Sequence, residues 1–212
     1  MRYIYNIDPR LNIGNPADLS ITPDCVFITG GIDSDIGDRI RNDILVAEAN
    51  RYITKQTILP VVINSPGGDI YEMRAIRDLL EATDFEIITT IVTGKAMSAG
   101  LYLASGGTKG FRWASPNSRL MLHRARTLTQ EDLVDEIDAE ADLKELQQLN
   151  KEMLETLDHD AGQERGFFKK MLASRQGGDW FLSPRQAKKL GLIDRIGIPK
   201  ITISVSVEVK YQ

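Results

Sequence analysis

Two short segments carry residues suited to acyl-transfer chemistry. GKAMSAG (94–100) follows the β-branched run EIITTIVT and presents one hydroxyl, Ser98, ahead of two small residues. With Ser98 near the start of a helix, unpaired backbone amides there would face an oxygen developing negative charge. NSPGGD (64–69) sets adjacent glycines after a second apolar run, where the lack of Cβ lets amides approach a substrate or line an oxyanion site. A serine nucleophile needs a base, and the chain has 2 histidines, His123 and His159. His123 closes RLMLH, a strand end from which a side chain can enter a crevice, which favours it over His159 in the acidic DHDAG. An orienting carboxylate would complete the set, but 30 Asp and Glu residues leave its identity open. Each group also has an ordinary structural role: a capping serine, a diglycine turn, a hydrogen-bonded histidine. Both readings stand at this point.

The elements that would position these groups follow one repeated pattern. CVFITGG (25–31) reads as a buried strand closed by glycines, followed by near-helical spacing of Ile36, Ile40, Ile44, Leu45 and Ala47. ILPVVIN (58–64) leads through SPGG into DIYEMRAIRDLLEAT, and FEIITTIVT (85–93) leads through Gly94 into SAGLYLASG. Three strand-then-helix units predict an α/β sheet with crossover helices. GFRWA and RLMLH are further short strands. From Gln130 to Leu157 an apolar stripe through Leu133, Ile137, Ala141, Leu146, Leu149, Met153 and Leu157 predicts a helix. Unbroken, it would extend about 40 Å and overreach a small domain, so part of it should protrude; an apolar stripe left in water argues for oligomerisation. SPRQAKKLGLIDRIG reads as a short helix capped by Ser183, with Pro184 at its first position, ending at Gly191 before a strand. Residues 1–23, with three prolines and scattered Asn, read as an irregular arm, and ITISVSVEVK alternates like a final strand.

Bulk properties narrow the function classes. At 212 residues, 42% hydrophobic and 26% charged, the chain has the composition of one soluble globular domain. A formal net charge of -4 removes the usual electrostatic argument for nucleic acid. The lone Cys25 cannot form an internal bridge, and no Cys/His grouping offers zinc ligands, so no metal is expected. No apolar run approaches the length of a signal peptide or membrane span, so no membrane association and a reducing, cytoplasmic setting are expected. GGTKG lacks phosphate-loop spacing, and no dinucleotide fingerprint is present. No cofactor is expected.

INSPGGDI, GKAMSAG, PNSRLMLH and GGDWFLSPRQAKKLGLID, in that order, resemble the Clp-type serine peptidases, the proteolytic subunit of the ATP-dependent Clp protease, together with their viral head-maturation relatives. GKAMSAG matches that family's glycine-x-alanine-x-serine-x-glycine/alanine pattern, and the likeness covers roughly residues 25–196. The resemblance implies an α/β, crotonase-like fold of repeated β-β-α units with a protruding handle helix. It divides the chain into an arm (1–24), a peptidase domain (25–197, handle about 124–160) and a C-terminal extension strand (198–212). It implies Ser98 as nucleophile, His123 as general base and Asp179, in GGDWFLSP, as the orienting carboxylate, with the backbone amides of Gly68 and Ala99 as oxyanion hole.

By the same resemblance the substrates are peptides or unfolded proteins, cleaved inside a homo-oligomeric chamber of two stacked heptameric rings joined through the handle. The family's AAA+ unfoldase partner is an expectation that the N-terminus weighs against, since its first residues do not match the usual pore loops. RARTLTQEDL after His123 also lacks the glycine-rich strand that pairs with substrate in the family. Those departures suit a viral head-maturation protease acting without an unfoldase. A catalytically silent ring subunit, and an acyl-CoA hydratase-like protein using only the oxyanion hole, are compatible with parts of the same pattern.

Overall fold

The computed structural model of the protein describes residues 3–6, 24–126, 136–176 and 178–204. Apolar β-branched runs form the centre. Strands β2 (Val26–Ile32), β3 (Ile58–Gly68) and β4 (Ile87–Met97) lie side by side, all parallel, with β5 (Arg112–Ala114) and β8 (Arg195–Ile196) continuing the sheet in the order β2-β3-β4-β5-β8. Helices α1 (Ser34–Thr54), α2 (Ile70–Glu81) and α3 (Ala99–Ser105) each follow one of the first three strands. This is the predicted α/β alternation. Val26, Ile28, Leu59, Val61, Ile63 and Val92 of the sheet join Ile40, Ile44, Ile76 and Leu101 of the helices in one buried core.

The long strands run further than the sequence pattern indicates. Residues 65–68, read as the exit from a strand, belong to β3, and Gly94 lies inside β4. Glycine signals a break, yet here it lets a strand bend and go on. Gly94 has a φ of +100°, and any Cβ there would lie 2.8 Å from Asn64 Oδ1. Beyond this bend β4 changes partner: Thr90–Val92 pair with β5, whereas Lys95–Met97 pair with β6 (Arg119–Leu122). β6 in turn pairs antiparallel with β7 (Trp180–Leu182). The bend thus splits off a small layer whose strand ends carry the candidate residues.

Helix α4 (Glu136–Ala161) is 26 residues, about 39 Å at the usual rise. Leu149, Met153, Leu154, Leu157 and Ala161 are buried, whereas Glu140–Glu145 are exposed, Leu143 among them. Its C-terminal half therefore packs on the core, whereas the turn at Glu140–Lys144 faces water. The stretch from Gln130 to Asp135, and with it most of the segment after His123, lies outside the described residues.

Helix α5 (Phe167–Ala173), which the sequence pattern did not single out, is docked by Asp158, whose buried carboxylate accepts from the Gly166 and Phe168 N–H groups at 2.6 and 2.9 Å. Helix α6 (Pro184–Lys189) has the predicted start: Ser183 and Gln186 form a reciprocal capping box, with Pro184 in the first turn. The arm expected to be irregular contains strand β1 (Tyr3–Asn6), which pairs parallel with β9 (Ile201–Ser204). Backbone pairing needs no side-chain period over four residues, so nothing in YIYN announces it. Residues 7–23 and 205–212, the rest of the expected arm and extension, lie outside the described residues.

Candidate active site

Ser98 stands at the junction of β4 and α3 in a conformation that L-residues rarely adopt, φ +50° and ψ -126°. Its side chain makes no capping hydrogen bond to the helix it precedes. A serine selected only as a cap would have extended backbone and an oxygen turned to the first helical amides, so the capping explanation fails here. The backbone is pinned on both sides. Ser98 N–H donates to Met121 O at 2.9 Å, and Ser98 O accepts from Leu101 N–H at 2.8 Å. Strain held by such over-determined surroundings is typical of functional positions.

Strand register sets the other groups. Met97 of β4 is level with Met121 of β6, and His123 follows β6 by one residue. In the antiparallel β6–β7 pair Leu122 faces Trp180, so His123 and Asp179 are the next residues outward and lie across from each other. Side chains alternate: Leu120, Leu122, Trp180 and Leu182 point into the core, which turns His123, Asp179 and the exposed Phe181 to the opposite face. His123 Nδ1 is 3.9 Å from Asp179 Oδ1, and Nδ1 is buried without a hydrogen-bond partner among the described residues. Asp179 Oδ1 instead accepts from Arg126 Nη2. Burial, and after it the charge of Arg126, hold the His123 imidazole below its ordinary pKa against the upward pull of Asp179.

The diglycine borders the same junction, and its two members do different work. Gly67 is buried with φ +95°; a Cβ on it would lie 2.6 Å from Met97 O, 2.7 Å from Ser98 Cβ and 3.0 Å from Ala99 N. Gly68 is exposed with φ +156°, and a Cβ there would meet Ile32 O at 2.1 Å. Ala99 opens α3, so its N–H is one of those a helix leaves unpaired. Ser65, wholly buried, ties the turn together: its hydroxyl donates to Gly30 O at 2.7 Å and accepts from Gly67 N–H at 3.0 Å.

The structure therefore sets His123 and Asp179 across from each other, ties Ser98 to β6 through its N–H, packs Gly67 against Ser98 and Ala99 with Gly68 against Ile32, and leaves His159 elsewhere, exposed near the end of α4. Sequence reasoning missed Arg126 and Ser65, and read Gly67 only as one of an adjacent pair, without its close packing on Ser98. A cleft of about 680 Å³ between α2 and α4 includes His159, but its arginines are engaged: Arg74 with Glu152 at 2.7 Å and Arg77 with Asp160 at 2.7 Å. It holds none of the candidate groups. Among the described residues no set of three His, Cys, Asp or Glu could hold a metal ion, and no helix is long and apolar enough to cross a membrane.

A strained serine between a parallel strand and a helix, bonded through its backbone to a strand that ends in a histidine, fits hydrolases that act through an acyl intermediate. Comparison with known proteins narrows the class. Residues 19–200 match the family described as Clp protease. ATP-dependent Clp protease proteolytic subunit 3 of Synechococcus sp. (strain CC9605) is 34% identical over 167 residues, 78% of this chain and 80% of that protein. Subunit 2 of Prochlorococcus marinus (strain NATL2A) is 34% identical over 169 residues, with the same coverage. The chain belongs to the Clp protease family and is a serine-type peptidase, a hydrolase. Its mostly parallel α/β sheet with flanking helices is the fold expected of that family.

Proposed function

We propose that the protein is an endopeptidase in which Ser98 is the nucleophile, His123 the general base and Asp179 the carboxylate that orients the imidazole. The Ser98 oxygen attacks a peptide carbonyl as His123 Nε2 takes its proton; the imidazolium returns that proton to the leaving amine, and water then releases the acyl group by the reverse sequence. The amides of Gly68 and Ala99 receive the oxyanion. The observation that carries this reading is the left-handed, uncapped Ser98, fastened by its own N–H to the strand that delivers His123.

The test is chemical. Ser98 should be labelled by a fluorophosphonate, and Ser98→Ala should lower hydrolysis of a fluorogenic peptide by about 10⁶, as in other serine triads. Unchanged hydrolysis by that variant refutes the assignment. Absence of labelling in a confirmed oligomer would favour a silent ring subunit, a reading that the 3.9 Å gap between His123 and Asp179 makes worth testing.

Peptides and unfolded proteins are the proposed substrates, cut inside a chamber built from copies of this chain. The exposed end of α4, with Leu143 bare, supports assembly through that helix, and two stacked heptameric rings are the arrangement to look for by native mass spectrometry. Degradation of a folded, tagged protein only with an AAA+ unfoldase and ATP would establish that partner; peptide cleavage without such dependence fits a head-maturation protease. The unbridged Cys25 thiol suits a reducing compartment such as the cytoplasm.

A further inference from the structure

Asp179 Oδ1 is contested. The same oxygen that lies 3.9 Å from His123 Nδ1 is the acceptor for Arg126 Nη2. An orienting carboxylate works through a hydrogen bond to the imidazole N–H, and here that ring nitrogen is buried with no hydrogen-bond partner among the described residues. The guanidinium is 62% exposed, whereas the His123 side chain is 17% exposed. Ion pairs so open to water are weak, and long exposed side chains leave them at small cost. Asp179 itself is 36% exposed.

We propose that Arg126 is a positioning residue that competes with His123 for Asp179 and holds the site in a resting arrangement until the guanidinium turns away. With Arg126 on Oδ1 the imidazole lacks its anchor; with Arg126 in solvent, Oδ1 closes on Nδ1 and fixes the tautomer that leaves Nε2 free to accept the Ser98 proton. The inference rests on the triad reading for its catalytic meaning, but its geometry can be tested apart from it. Among the described residues Arg126 and Asp179 are the charged groups that act on His123, so the sign follows. Loss of Arg126 removes an influence that disfavours imidazolium and strengthens one that favours it.

The experiment uses the full chain labelled with ¹³C-histidine, which gives two ring signals, His123 and the exposed His159 as internal reference. In Arg126→Gln the His123 titration should move to higher pH, and against an Asp179→Asn background the same substitution should give a smaller rise, the part due to lost repulsion alone. Peptide hydrolysis by Arg126→Gln should rise about tenfold on the neutral-pH plateau, the scale of one charge-assisted hydrogen bond, with the acidic limb of kcat/KM displaced upward. Arg126→Lys, a point donor without the fork, should fall between the two. An unmoved His123 titration in both Arg126 variants, with folding verified by circular dichroism, overturns the inference. Hydrolysis that survives Ser98→Ala instead overturns the triad reading and leaves the titration to decide the contest for Asp179.

Discussion

Gly67→Ala is the sharpest test of how the diglycine supports Ser98. The added methyl would sit 2.6 Å from Met97 O, 2.7 Å from Ser98 Cβ and 3.0 Å from Ala99 N, all well inside van der Waals contact. None of these atoms is the free end of a flexible side chain. Relief must come from backbone movement at the β4–α3 junction, and overpacking of that kind costs about 1–3 kcal/mol. The φ of +95° adds roughly 1–2 kcal/mol for an L-residue. Together they amount to about 2–5 kcal/mol, or a fall in Tm of roughly 4–20 °C at about 2–4 °C per kcal/mol. Gly110→Ala is the matched control, because Gly110 has φ +92° and a methyl there would meet nothing within 4 Å. It should lose about 1–2 kcal/mol from the backbone alone. Thermal unfolding followed by circular dichroism measures both. The catalytic prediction is separate: moving Ser98 and Ala99 should lower kcat/KM about 10²–10³-fold, the usual consequence of losing an oxyanion donor, while Gly110→Ala leaves the rate unchanged. Should Gly67→Ala lose no more stability than Gly110→Ala and retain full hydrolysis, the close approach of β3 to Ser98 is wrong.

Two further outcomes follow from strain and burial. Ser98→Gly relieves the left-handed φ of +50°, so it should stabilise the fold by about 1 kcal/mol while abolishing fluorophosphonate labelling, checked by urea unfolding beside the labelling gel. Arg112 is 2% exposed and pairs with Asp194 at 2.7 Å, also donating to Asp160 O at 2.8 Å. Arg112→Met should destabilise by about 3 kcal/mol, because it leaves a carboxylate without its cation. Burial pushes the Asp194 carboxyl up, but hydrogen bonds from Arg112 and the Gly110 amide outweigh it and hold its pKa below the ordinary value. The stability this contributes is full above the unfolded carboxylate value of about 3.9 and is lost as pH falls through the depressed folded value. Acid unfolding of Asp194→Asn should therefore show a shallower loss over that window than the parent chain.

The order of elements was legible because burial on both faces forces continuous β-branched runs, as in EIITTIVT, and those runs alternate with helical spacing. Ser98 and His123 were legible as strand-end residues for the same reason. Strand ends misled where glycine was taken as a stop: Gly94 and the 67–68 pair lie inside β4 and β3, since a positive φ can bend a strand without ending it. Asp179 could not be found from its surroundings, because β7 is only three residues long and 30 carboxylates compete for the role. Its selection came from resemblance, and register then set it opposite His123. Arg126 had no signal at all, because an ion pair across 53 residues is decided by antiparallel pairing and not by local pattern.

That difference in legibility has a physical source in how each part of the site is held. Ser98, Gly67 and Ser65 are fixed by backbone hydrogen bonds and contacts that leave no space for another arrangement. Among the described residues Asp179 is held by one exposed guanidinium, with Gly178 just before it in the chain. Under the proposed assignment, the nucleophile and its amide donors are thus preorganised, while the orienting carboxylate can be redirected by a single side chain. Regulation of hydrolysis in this fold would fall most easily on Asp179, since moving Ser98 means breaking the sheet and moving Asp179 means breaking one surface ion pair.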